Sequence, residues 1–227
     1  MADNHRGKFF EDKIIPKIFN ALYTGLLFNS IFVLISSPFL LNIILIRFSE
    51  NYSILFPISI FFLFSAIYIL YASYNNWYDQ EEKLINLKSS FRCWRQNLRK
   101  ISIQYIGCGL IVLANVINIT RMRNSDFSFM NISFAIIIGI VLMIYSLWLF
   151  LIIKNPQAKL IELGISSFYF MIKKIGFSLI NAILLTGLII GLLLNPIVGG
   201  FVLPAIIIGL LYLNTHNIFK ELRQKES

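Results

Sequence analysis

From Ile175 to Phe219 the chain carries no Asp, Glu, Lys or Arg. Crossing about 30 Å of hydrocarbon takes about 20 helical residues at a rise of ~1.5 Å each, so this run is long enough for two crossings. Turn chemistry sits near its middle, where Asn195-Pro196 is followed by Gly199-Gly200. The stretch therefore reads as a hairpin, with one span ending near Leu194 and the next running from Gly200 to Asn214. Four more uncharged runs precede it, from Ile18 to Ile46, Ser53 to Ser73, Ile101 to Thr120 and Asn131 to Ile153. Pro38 is expected to kink or end the first. The predicted fold class is all-α: a polytopic membrane protein of about six transmembrane helices, in a single membrane domain covering 1–227.

The distribution of charge tests that count. Only 14% of residues are charged and 57% are hydrophobic, too few charges to cover a soluble surface. The formal net charge of +9 raises nucleic acid as a partner, but the cations fall in short loops between apolar runs, where membrane insertion explains them. Under strict alternation, three of the 20 Lys and Arg residues, Arg47, Arg121 and Arg123, lie on one side, and all the rest lie on the other. Inner loops are the ones enriched in Lys and Arg, so both termini are expected in the cytoplasm of a bacterial cell. The first run is too long for a cleavable signal and lacks a small-residue cleavage site, so it is expected to remain as a helix. Cys93 and Cys108 form neither a metal pair nor a disulfide framework.

Between spans two and three lies a segment of different character. Leu84, Leu87, Phe91, Trp94 and Leu98 recur at helical spacing, and Lys88, Arg92, Arg95 and Arg99 form a basic stripe beside them. Asp79, Glu81 and Glu82 precede it, where acids favour a helix N-terminus. The pattern predicts an amphipathic helix from about Glu82 to Lys100 at the cytoplasmic boundary, its cations toward anionic headgroups. Two roles stay open: an interfacial helix that sets orientation, and a docking element for a partner. A related pattern follows span four. Lys83-Leu84-Ile85-Asn86-Leu87 with Ser89-Ser90-Phe91 resembles Lys159-Leu160-Ile161-Glu162-Leu163 with Ser166-Ser167-Phe168, with one residue inserted. Each follows an inward span and precedes an outward one, so 53–120 and 131–194 read as two parallel repeats, an arrangement known among transporters.

No Asp, Glu, Lys or Arg lies well inside any assigned span, which argues against ion coupling, proton pumping and voltage sensing. Asn29, Ser36, Ser37, Asn115, Asn118 and Asn181 are the intramembrane polar groups, with interhelical bonding as their expected role. Gly187 and Gly191 form a GxxxG, and Ala135/Gly139 and Ala205/Gly209 share its spacing; these predict close helix packing. Trp77 and Tyr78 fit an interfacial aromatic belt. HExxH, GxSxG, P-loop and CxxC patterns are absent, and neither His5 nor His216 has an obvious partner. No catalytic, cofactor or metal residue is therefore assigned.

Three stretches resemble the YesL-like family of small bacterial integral membrane proteins. They are Leu27-Phe28-Asn29-Ser30-Ile31-Phe32-Val33-Leu34 followed by Ser37-Pro38, the segment Ser90-Phe91-Arg92-Cys93-Trp94-Arg95-Gln96-Asn97-Leu98-Arg99-Lys100, and the C-terminal hairpin with Pro196 and Pro204. The resemblance implies a non-enzymatic accessory or regulatory subunit of a carbohydrate ABC uptake system, with an ABC permease as partner. The residues alone leave a self-sufficient carrier or channel for a neutral solute as the alternative. A membrane enzyme ranks third, because convergent polar groups of the kind catalysis needs are missing.

Overall fold

The computed structural model describes residues 3–50, 55–79, 87–122 and 130–226, with side chains described for most of these. All regular structure among the described residues is helical. The elements are α1 (Asp3–Glu50), α2 (Leu55–Asp79), α3 (Leu87–Gln104), a π-helical turn (Tyr105–Gly109), α4 (Leu110–Met122), α5 (Met130–Lys154), α6 (Leu160–Lys173), α7 (Ile175–Leu194) and α8 (Pro196–Glu226). Among the described residues, six stretches are long and apolar enough to cross a membrane: Leu22–Leu45, Pro57–Tyr78, Lys88–Ile119, Met130–Lys154, Ile175–Leu194 and Pro196–Phe219. The chain is a polytopic all-α membrane protein. Large apolar side chains such as Leu34, Ile161 and Leu194 face outward, as they do when lipid is the solvent. One buried cluster, including Phe28, Phe32, Tyr68, Leu147, Leu188 and Ile208, joins α1, α2, α5, α7 and α8.

Pro38 and Pro204 neither end nor leave broken the helices that hold them. Pro38 lacks the N–H that would bond the carbonyl of Leu34. The Ser37 hydroxyl donates to that carbonyl instead, at 2.9 Å, and α1 continues to Glu50. The expectation that Pro38 ends the helix is corrected on that ground. Pro204 disturbs α8 in the same way, and neighbouring helices stitch the disturbance. The N–H of Ala205 donates to Asn29 Oδ1 of α1 at 2.8 Å. Its carbonyl accepts from the Tyr74 hydroxyl of α2 at 2.6 Å.

The α7–α8 hairpin is tighter than the sequence suggests. Asn195 alone separates the helices, and its Oδ1 caps α8 by accepting from the N–H of Val198 at 3.1 Å, with Pro196 at the first helical position. Gly199 and Gly200 are not turn residues but lie inside α8. A Cβ at Gly199 would sit 2.5 Å from the carbonyl oxygen of Gly191, so glycine here permits the two backbones to touch. Span six accordingly starts at Pro196 rather than at Gly200.

The third span differs most from expectation. The inner helix and the span are one helical run, since α3 passes into α4 through the π turn with no break. A Cβ at Gly109 would lie 2.5 Å from the Tyr105 ring, and the Tyr105 hydroxyl donates to the carbonyl of Pro57. The wide turn thus folds a tyrosine ring over a glycine and ties it to α2. In the second half of the chain, α6 meets α7 across the single residue Lys174. Two residue pairs matched between the similar segments are alike in burial. Ser90 and Ser167 are fully buried, whereas Phe91 and Phe168 are exposed. The first repeat's Lys83 to Asn86, together with Glu81 and Glu82, lies outside the described residues.

Candidate functional site

Helix α3 turns about 100° per residue, which sorts its residues into three faces. Ser90, Asn97, Ile101 and Gln104 form the face against the bundle and are all buried. Phe91 and Leu98, 40% and 37% exposed, point outward, with half-buried Trp94 at the edge of this stripe. Lys88, Arg92, Arg95 and Arg99 follow as a third, exposed face. The predicted apolar and basic stripes are therefore adjacent and both look away from the protein. Leu84 lies outside the described residues.

What holds α3 in place is polar. The hydroxyls of Ser73 and Ser90 are 2.9 Å apart. Asn76 Nδ2 donates to Ser89 Oγ at 2.9 Å. The Tyr68 hydroxyl meets Cys93 Sγ at 3.3 Å, while Asn97 Nδ2 donates within α3 to the Cys93 carbonyl at 3.0 Å. Gln104 Nε2 donates to the carbonyl of Tyr145 on α5 at 3.2 Å. Lys100 Nζ donates to the carbonyls of Pro156 and, at 2.9 Å, Ala158, which fastens the α5–α6 loop to the same helix. The helix is thereby locked from behind while its aromatic and basic faces stay open.

A second polar cluster joins α5, α7 and α8. Asn181, fully buried, donates through Nδ2 to Ser146 Oγ and Thr215 Oγ1, both at 3.2 Å. Its Oδ1 accepts from Asn214 Nδ2 at 2.7 Å. Beside it, the rings of Tyr71 and Tyr212 approach edge-on at 5.4 Å. His216 lies against Tyr78, 5.2 Å between ring centroids, with Nδ1 3.5 Å from the Tyr212 hydroxyl. His216 thus has aromatic partners that its sequence context did not reveal. Gln104 Oε1 and the Tyr145 hydroxyl are buried without a hydrogen-bond partner among the described residues.

The anticipated packing residues divide. Asn181 and Asn29 bridge helices as expected. Asn115 instead donates to the carbonyl of Ile111 in its own helix at 2.8 Å, because a carbonyl four residues back is within reach of a short amide. Asn118 is half-buried one turn on. Gly191 packs under Leu203 of α8, whereas Gly187 faces open space, as does Gly139. GxxxG is therefore not a unit within this chain. Gly209 is also closely packed, since its Cβ would meet the Tyr74 ring at 3.0 Å. Ser90, Asn97, Gln104, Ser146, Asn214 and Thr215 were missed by sequence reasoning. The seven-residue spacing of Ser90, Asn97 and Gln104, two helical turns each, was the available signal for three of them.

Among the described residues, no group of three His, Cys, Asp or Glu side chains could hold a metal ion. The arrangement offers hydrogen-bonding amides and hydroxyls inside the bundle, and cations with aromatic surface at one edge of it. No protein-family model, no curated protein and no solved structure matches this chain, so its site is read from its own residues.

Proposed function

We propose that the chain is a non-enzymatic accessory or regulatory subunit of a membrane assembly, with α3 as its contact surface. One observation carries the reading: α3 is fixed from behind by Ser73, Asn76, Tyr68 and the α5–α6 loop, yet presents Phe91, Arg92, Arg95 and Arg99 outward. A rigid helix displaying a basic and aromatic face is suited to binding, since little ordering cost remains to be met on association. The resemblance to YesL-like proteins narrows the assembly to a carbohydrate ABC importer of the bacterial cell membrane. The Lys and Arg asymmetry supports a cytoplasmic placement of this face and of both termini. Copurification from native membranes in a mild detergent, followed by mass spectrometry, tests the reading. A permease or nucleotide-binding subunit in the complex supports it, and its loss in Arg92→Glu/Arg95→Glu with the fold intact locates the contact. Isolation without such a subunit counts against it.

A second reading, a carrier or channel for a neutral solute, is favoured by the unpartnered Gln104 Oε1 and Tyr145 hydroxyl beside the π turn, since such turns recur at functional sites. Flux of sugars or polyols into proteoliposomes that Gln104→Leu abolishes would establish it.

A further inference from the structure

A groove runs along the outer face of α1, lined by Tyr23, Leu26, Leu27, Ile31 and Leu34, and closed on one side by Phe91 of α3. From Tyr23 to Leu34 it extends about 16 Å at ~1.5 Å per residue. That is close to one leaflet of a bilayer whose hydrocarbon core is about 30 Å thick. It occupies the N-terminal half of the first span, Leu22–Leu45, and so lies within a single leaflet. Phe91 is the point where this groove meets the basic face. Lys88 and Arg95 stand one turn before and one turn after it on the same side of the helix, with Arg92 adjacent, all exposed.

We propose that this groove binds an anionic phospholipid, one acyl chain lying along α1 against Phe91 and the headgroup phosphate held by Lys88, Arg92 and Arg95. Apolar length and cations are both required. An acyl chain alone fills apolar grooves anywhere on a membrane protein, and a surface cation alone attracts headgroups without fixing them. Here the two meet at one residue. Guanidinium groups suit the phosphate, because each offers two parallel N–H donors to its oxygens. A zwitterionic headgroup brings its own ammonium to the same cations and is disfavoured. An acidic helix of another protein is the competing occupant. The lipid is preferred because the groove lies within the length of a membrane span, where lipid is already present. The inference does not rest on the accessory reading, since it concerns the lone chain, and a partner docked on the Arg92 and Arg95 face would take the place of the lipid.

The purified chain in detergent, titrated with phosphatidylglycerol and with phosphatidylcholine of identical acyl chains and followed by native mass spectrometry, provides the test. Phosphatidylglycerol is expected to be retained in preference, as one molecule per chain. Arg92→Gln/Arg95→Gln is expected to reduce that preference about fivefold per charge removed, while phosphatidylcholine retention is unchanged. Ser30→Trp, at an exposed groove position, is expected to reduce retention of both lipids together. Circular dichroism confirms that each variant is folded. Equal retention of the two lipids by the unaltered chain overturns the proposal. So does a preference that neither variant alters, or a tightly held polypeptide on this face that phosphatidylglycerol does not displace.

Discussion

Replacing Asn181 by Ala removes three hydrogen bonds that join three helices. In the folded chain, Asn181 donates to Ser146 of α5 and Thr215 of α8 and accepts from Asn214 of α8. Each neighbour keeps another bond after the substitution. Ser146 Oγ still donates to the carbonyl of Met143 at 2.8 Å, Thr215 Oγ1 to Leu211 at 2.7 Å, and Asn214 Nδ2 to Phe177 at 3.0 Å. No donor is therefore stranded, and the loss is that of the bonds alone. Interhelical side-chain bonds in membranes average about 0.6 kcal/mol, so three predict a loss of about 2 kcal/mol. A buried amide that left its partners unsatisfied would cost more, about 1–3 kcal/mol for each stranded group. Reversible unfolding in mixed micelles, monitored by circular dichroism, measures the difference. Thr215→Val in the same cycle should cost less than Asn181→Ala, and the double variant should fall short of additivity by roughly one bond. A change below about 0.5 kcal/mol for Asn181→Ala, the size expected of an ordinary surface substitution, refutes the view that this cluster couples α5, α7 and α8. Full additivity with Thr215→Val does the same.

Further outcomes follow from close approach and capping. Gly209→Val drives a side chain into the Tyr74 ring and is expected to destabilise by about 1–3 kcal/mol. Gly187→Val, facing open space, should be neutral in the same unfolding assay. Gly109→Ala should displace the Tyr105 ring and loosen the π turn, whereas Gly107→Ala, with nothing nearby, should not; tyrosine fluorescence and melting temperature separate them. Lys100→Met frees the carbonyls of Pro156 and Ala158 and should raise proteolysis between Lys154 and Lys159 without altering the helical content. In a chain carrying Cys93→Ser and Cys108→Ala, Arg95→Cys should react with an impermeant maleimide from the cytoplasmic side only; labelling from outside reverses the proposed orientation.

The number and order of spans were legible because lipid imposes a strong one-dimensional rule: about 20 residues without charge. Boundaries were less legible. Span two runs to Tyr78 rather than Ser73 because Ser73 and Asn76 find partners on α3, a compensation invisible in α2 alone. Pro38 reads as a helix breaker until Ser37 is seen to take over the freed carbonyl, and Pro204 until Asn29 and Tyr74 are seen to reach α8. Those contacts join residues far apart in sequence. No local pattern contains them.

Helix α3 shows why the candidate site was only half legible. In a soluble protein the apolar stripe of an amphipathic helix is the one that packs, because burying it removes it from water. Lipid reverses the argument. Apolar side chains gain nothing from leaving hydrocarbon for a protein interior of the same polarity, so their outward stripe carries no packing information. Polar groups that hydrocarbon cannot satisfy must turn inward or reach the interface. Ser90, Asn97 and Gln104 are the stripe that identifies the buried face of α3, and they bury as that argument requires. Phe91 and Leu98 instead mark an outward apolar face, and Arg92, Arg95 and Arg99 an exposed basic face beside it. For a membrane helix, the spacing of its amides and hydroxyls locates the neighbours. The spacing of its leucines and aromatics locates the solvent.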